Sequence, residues 1–252
     1  MITRTMTGAA IFWGAINARW ADEGGRSWDG DLIIGPAVVL STNPFAGAED
    51  DLEASAVPFI YFENDWLTAG FDGLSLKLIE NDWLGVRALA QPRYLFVEPE
   101  DEPALSDIDR QITLDLGASV RVGPENLYLE TVVRKEVTSE HEGLEIEAGF
   151  HGSRQIGETN LNLVAGARWQ DKKLSSYLYG VRPEEATADR LAYTADDDVT
   201  PFVSAQVMRP LRGKWVGFAG VNVDFLPDVA KDSPIIDADN IVTTMIGAFY
   251  VF

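Results

Sequence analysis

From Trp28 onward, apolar and polar residues alternate with a period of two, the mark of strands that turn one face toward an apolar medium. Ile112, Leu114, Leu116, Ala118, Val120 and Val122 alternate with Gln111, Thr113, Asp115, Gly117, Ser119 and Arg121. Leu144, Ile146, Ala148 and Phe150 alternate with Glu145, Glu147, Gly149 and His151, and Leu161, Leu163, Ala165, Ala167 and Trp169 with Asn160, Asn162, Val164, Gly166 and Arg168. The pattern predicts strands at 28–40, 54–63, 65–71, 73–80, 83–97, 111–122, 126–137, 142–154, 158–170, 199–209, 213–225 and 241–252. Many run to about 11–13 residues, beyond the usual globular strand and suited to a tilted membrane crossing.

The links between these strands sort by parity. Short ones fall at Asn64-Asp65, Asn81-Asp82, Gly123-Pro124-Glu125, Ile156-Gly157 and Pro210 to Gly213. The alternate set holds the long segments 41–53, 98–110, 171–198 and 226–240, with short links at Asp72-Gly73 and 138–141. An even strand count with short turns at one end and long loops at the other predicts an all-β fold, a closed antiparallel up-and-down transmembrane barrel of about 12 strands. The split at Asp72-Gly73 carries this reading, because without it the count is odd.

The 252 residues include no Cys and carry a formal net charge of −20. No Cys means no disulfide, no thiolate metal site and no Cys nucleophile. The negative charge opposes binding to nucleic acid and to anionic lipid headgroups through electrostatics. Beyond residue 16 no apolar run is long enough for a spanning helix. Residues 1–21, with Arg4, the uncharged run Gly8 to Ile16 and the small residues Ala18 and Ala21, have the layout of a signal peptide, leaving 22–252 as the barrel domain.

Register across the turns places Asp115 opposite Arg134, Arg134 opposite Glu145 and Glu145 opposite Arg168 on the predicted lumen face. A slip of two residues exchanges partners, Glu147 for Glu145, and keeps the alternation of sign. Buried charges need partners, so this row predicts a lumen partly filled by ion pairs rather than a wide channel. Twelve strands permit either.

Other features carry less. Glu63-Asn64-Asp65-Trp66-Leu67 recurs as Glu80-Asn81-Asp82-Trp83-Leu84, and a turn followed by an interfacial Trp accounts for it more simply than a partner-binding motif. Acidic residues gather in the long segments, at Glu49-Asp50-Asp51, at Glu98, Glu100, Asp101, Glu102, Asp107 and Asp109, and at Asp196-Asp197-Asp198. Their spacing matches no closed calcium loop, and a solvated anionic surface explains them. The two histidines, His141 and His151, lack the spacing of a zinc site. A hydrolase centred on His151 with Ser153 or Glu147 is a weaker reading than a histidine that simply hydrogen-bonds. No catalytic, cofactor-binding or metal-ligating residue is assigned.

In the last strand Val242, Thr244, Ile246, Ala248, Tyr250 and Phe252 alternate up to a terminal aromatic, resembling the signal by which outer-membrane barrels are recognised for assembly; Tyr250 and Phe252 carry it. Tyr177-Leu178-Tyr179-Gly180-Val181, then Pro183, Ala186 and Tyr193, then Asp232-Ser233-Pro234-Ile235, resemble the MltA-interacting protein family (MipA/OmpV). So do Val57-Pro58-Phe59-Ile60-Tyr61 and Gly70 with Gly73-Leu74. The resemblance implies an outer-membrane barrel of a Gram-negative cell, in contact with lipid and lipopolysaccharide. It implies a non-catalytic structural or scaffolding role, linked in the namesake to a lytic murein transglycosylase and a penicillin-binding protein. Two readings compete with it: a small cation-preferring pore, favoured by the acidic loops, and an acidic soluble β-sandwich. The sandwich is favoured by strands apolar on both faces, as where Met245, Phe249 and Val251 stand opposite Ile246 and Tyr250.

Overall fold

The computed structural model describes residues 30–48, 50–94, 105, 108 and 110–252. The segment 1–21 expected to be a signal peptide lies outside the described residues, as do Glu49 and most of the acidic stretch 98–109. The described chain forms twelve antiparallel strands closed into a barrel, each strand paired with its neighbours in sequence and the last with the first. They are β1 (Asp31–Thr42), β2 (Leu52–Glu63), β3 (Leu67–Gly70), β4 (Gly73–Glu80), β5 (Leu84–Arg93), β6 (Thr113–Val122), β7 (Leu127–Glu136), β8 (Leu144–Ile156), β9 (Thr159–Gln170), β10 (Asp198–Pro210), β11 (Trp215–Phe225) and β12 (Asn240–Val251). A helix α1 (Lys172–Tyr179) follows β9, and a single turn α2 (Asp228–Lys231) follows β11.

Closure removes the sheet edge, so the strands satisfy one another's backbone groups all round the wall. The outward face is apolar, with Leu78, Leu116, Val120, Phe150, Leu163, Val207 and Ile246 among its exposed side chains. The inward face is divided. Toward the short-turn end of β1, β2 and β10–β12 it is apolar, and Phe59, Phe218 and Phe249 meet there with ring centroids 5.3–5.8 Å apart. Ile33, Val39, Met208, Met245 and Val251 pack around them, and Phe71 of the β3–β4 turn packs against the same cluster. Strands apolar on both faces therefore belong to a barrel with a filled interior on that side, and the two-layer sandwich is set aside.

The short-turn end carries a group of exposed aromatics. Both copies of the Glu-Asn-Asp-Trp-Leu repeat form one turn: Asn64 Oδ1 accepts from the N–H of Trp66 at 3.0 Å and of Leu67 at 2.8 Å, and Asn81 Oδ1 from Trp83 and Leu84, both at 3.0 Å. In each copy the Asn bends the chain through its own side chain and leaves the Trp exposed, Trp66 at 59% and Trp83 at 64%. Tyr250 packs between Trp215 and Phe252, with centroids 5.6 and 4.8 Å away, at the same end.

The β3–β4 turn depends on Gly73. Its φ is +119°, and a Cβ there would lie 2.3 Å from the carbonyl oxygen of Ala90 on β5. We expect Gly73→Ala to lower stability by about 1–3 kcal/mol, read as an earlier midpoint when the detergent-solubilised barrel is unfolded in urea.

Candidate functional site

The other half of the interior is a belt of ion pairs. Arg93 at the end of β5 donates from Nε and Nη2 to Asp115 Oδ2 of β6, at 2.9 and 2.6 Å. From Nη1 it reaches Glu145 Oε2 of β8 at 3.1 Å. Arg134 of β7 donates to Glu145 Oε1 at 2.7 Å and Glu147 Oε2 at 3.3 Å. Arg168 of β9 donates to Glu147 Oε2 at 3.1 Å, passes over the ring of Phe202 on β10 at 5.0 Å, and reaches Asp224 Oδ1 of β11 at 3.2 Å. Gln91 and Gln170 fill in, accepting from Arg134 at 2.8 Å and donating to Glu145 at 3.1 Å. Asn222 donates to the other oxygen of Asp224 at 2.7 Å. The order along the belt is Asp115, Arg93, Glu145, Arg134, Glu147, Arg168, Asp224. Every guanidinium lies between two carboxylates, as buried charges require.

Asp115, Arg134, Glu145 and Arg168 all point inward, but two of the three expected pairings differ. Asp115 stands opposite Glu136, and Arg134 opposite Gly117. The β6–β7 turn closes over Pro124 to Leu127, whose N–H bonds back to the Pro124 carbonyl at 2.9 Å, while Gly123 N–H turns away to Trp83 O. The pairing thus shifts by two residues. Arg134 does face Glu145. Across β8–β9, Gly157 takes φ +61° in a turn that pairs Ile156 with Thr159, so Glu145 faces Gln170 and Glu147 faces Arg168. Asp115 and Glu136, two acids in register, would repel. Glu136 instead turns into the β7–β8 loop, where it accepts from the N–H and hydroxyl of Thr138 and from the N–H groups of His141 and Glu142. Asp115 takes Arg93.

Above the belt, the long loops build a second core. Leu105, Ile108, Val181, Leu226, Ala230, Ile235 and Ile236 are buried together, with Phe45, Tyr179 and Tyr193 against them. The β1–β2 and β11–β12 loops pair at Phe45 and Ile236, and the β9–β10 loop closes on itself through Val181 and Tyr193. Arg110 joins the β5–β6 connection to the β9–β10 loop. Its Nε donates to Tyr177 O at 2.7 Å, its Nη2 to Gly180 O at 3.0 Å, and its Nη1 to Glu185 Oε1 at 2.6 Å. Burial pushes the Glu185 carboxyl up, but the hydrogen bonds from Arg110 and from the N–H of Arg182 outweigh it and hold it below the ordinary carboxylate range.

The histidines serve these parts. His141 accepts the Gly143 N–H on Nδ1 at 2.9 Å and leans on Tyr177 in the cap; burial and the positive charge of Arg93 lower its pKa. His151 stacks on Tyr128 at 4.6 Å, with Nε2 3.8 Å from Glu130, inside the barrel. Among the described residues, no group of three or more His, Asp or Glu side chains could hold a metal ion.

Removing Arg134 strands Glu145 and Glu147 partly unpaired, so Arg134→Ala is expected to cost about 3–5 kcal/mol in urea unfolding. In double-mutant cycles Arg134 should couple more strongly to Glu145, which it touches, than to Asp115, which it meets only through Arg93 and Glu145. The cap has its own pH dependence. Because the folded Glu185 carboxyl is depressed, its contribution is present above the ordinary carboxylate range and is lost as pH falls through the folded value. Protection from hydrogen exchange across 180–193, relative to the intrinsic rate at each pH, should therefore fall at acid pH in the native chain, and already at neutral pH in Arg110→Ala.

The family described as MltA-interacting protein MipA matches residues 34–252. The outer membrane protein YiaT of Escherichia coli (strain K12) is 24% identical over 226 residues, 88% of this chain and 91% of that protein. Outer membrane protein Omp26La of Vibrio anguillarum is 24% identical over 76% of each chain. Outer membrane protein OmpV of Vibrio cholerae is 26% identical over about half of each. Among solved structures, a loop-deletion form of the Vibrio cholerae outer membrane protein OmpT covers 89% of this chain and 100% of its own, at 8% identity and a TM-score of 0.39. With a closed twelve-stranded barrel and a family match over nearly all of it, the chain belongs to the MltA-interacting protein MipA family and is an outer-membrane β-barrel protein.

Proposed function

We propose that this chain is a non-conducting, non-catalytic barrel that serves the cell envelope as a structural platform, in contact with lipid and lipopolysaccharide around its wall. The observation that carries the reading is the filling of the interior. The belt from Asp115 to Asp224 crosses one half of the lumen, the aromatic cluster of Phe59, Phe218 and Phe249 fills the other, and the loop core lies over both. A lumen obstructed in this way would give ions no route that avoids a desolvation barrier. On this reading the partners are a lytic murein transglycosylase and a penicillin-binding protein. They would meet the short-turn end, which faces the periplasm in barrels of this asymmetry.

A cation-preferring pore is the competing reading, favoured by acidic loop residues such as Asp196 and Asp197, which attract cations to the long-loop end. Planar-bilayer recording separates the two. The platform predicts no steady unitary openings in the native chain, and steady cation-selective openings would overturn it. The partner half of the reading is tested by co-purification of a lytic murein transglycosylase and a penicillin-binding protein with the detergent-extracted barrel. Their absence after cross-linking would leave a sealed barrel without that role.

A further inference from the structure

Between the loop core and the ion-pair belt lies a cavity of about 130 Å³. Leu105, Ile108, Leu226, Ile235 and Ile236 roof it, while Arg168, Gln170, Thr200 and Asp224 form its floor. Its volume is close to that of engineered cavities, about 150 Å³, that stay dry and take up a single benzene ring. This cavity differs from those in having a polar floor.

The floor is selective in its unused groups. Asp224 already has a charged partner, accepting from Arg168 on one oxygen and from Asn222 on the other. Glu185, the partner of the Arg110 that also lines the cavity, is held by that Arg and by the N–H of Arg182. Arg168 uses Nε for Glu147 and Nη1 for Asp224, which among the described residues leaves Nη2 as a donor without a partner. Gln170 uses its amide nitrogen for Glu145, which among the described residues leaves its carbonyl oxygen as an acceptor without one. A charged guest would bring an uncompensated charge against a floor whose Arg168 and Asp224 are already paired with each other, at high cost. A neutral hydroxyl fits, because it accepts one bond from Arg168 and donates one to Gln170.

We propose that this cavity is a binding site for a neutral, single-ring compound bearing one hydroxyl, of the phenol class. The ring lies under Leu226, Ile235 and Ile236, and the hydroxyl meets Arg168 and Gln170. Neither the closed lumen nor the scaffold reading requires such a site, since a sealed barrel could as well be packed solid here.

The test uses the full chain in detergent, with phenol and toluene as a matched pair that differ in the hydroxyl, followed by ligand-observed NMR. Saturable binding of phenol is expected, at least ten-fold tighter than toluene. Gln170→Leu, which removes the acceptor, should lower phenol affinity by about ten-fold and leave toluene unchanged or improved. Leu226→Trp, which fills the space, should abolish both. Folding of each variant is checked by the faster migration of the unboiled protein in SDS gels, and Thr200→Leu replaces any variant that lacks that band. No saturable phenol binding to the native chain would overturn the proposal. So would equal affinity for phenol and toluene, or binding that persists in the filled barrel.

Discussion

Charges enclosed in a barrel survive only in company, and the interior of this one is organised by that requirement. Each guanidinium of Arg93, Arg134 and Arg168 bridges two carboxylates, from two different strands for Arg93 and Arg168 and both from β8 for Arg134, so the pairs form a chain and not a set of isolated contacts. The chain ties β5 to β9 and then, past Phe202, β11. A strand that slipped by one residue would move its charge to the lipid face, and a slip of two would hand a carboxylate the wrong partner. The belt therefore contributes less to stability in sum than to the choice of one register among several.

The aromatic half of the lumen answers the same need by the opposite means. The outward face lies against lipid tails, which are as apolar as the side chains themselves, so little of the hydrophobic effect is gained there. Inside, burying Phe59, Phe218 and Phe249 removes apolar surface from water, and each fully buried side chain contributes about 1.5–3 kcal/mol. This apolar cluster thus recovers, within a membrane protein, the kind of core that a soluble domain has. The loop core of Leu226, Ile235 and Ile236 extends that principle above the wall.

Much of the wall could be read from alternation alone. The period of two marked the strands and their faces, the parity of the links marked the two ends, and Asp72-Gly73 marked the turn that makes the count even. Register was the weak point. A two-residue shift leaves every side chain on its own face, so the pattern cannot distinguish Asp115 opposite Arg134 from Asp115 opposite Glu136. What decides is turn geometry at Pro124 to Leu127 and at Gly157, and nothing in the period carries it. Arg93 was missed because it reaches Glu145 across two intervening strands, a contact that only closure creates. The loop core had no period to show. Its one signal was apolar side chains, Leu105 and Ile108, standing among acidic neighbours where a solvated loop has little use for them.

The depth at which the charges sit has a further consequence for the ionic environment. Dissolved salt screens charges that water can reach and acts much less on those it cannot. In this chain the two populations are spatially sorted: Asp196 and Asp197 and their neighbours stand on the outer loops, while Glu145, Arg168 and Asp224 are enclosed. Ionic strength therefore relaxes the mutual repulsion of the surface and leaves the belt nearly untouched. A barrel with this arrangement is indifferent, in its interior, to the salinity of the medium its cell meets.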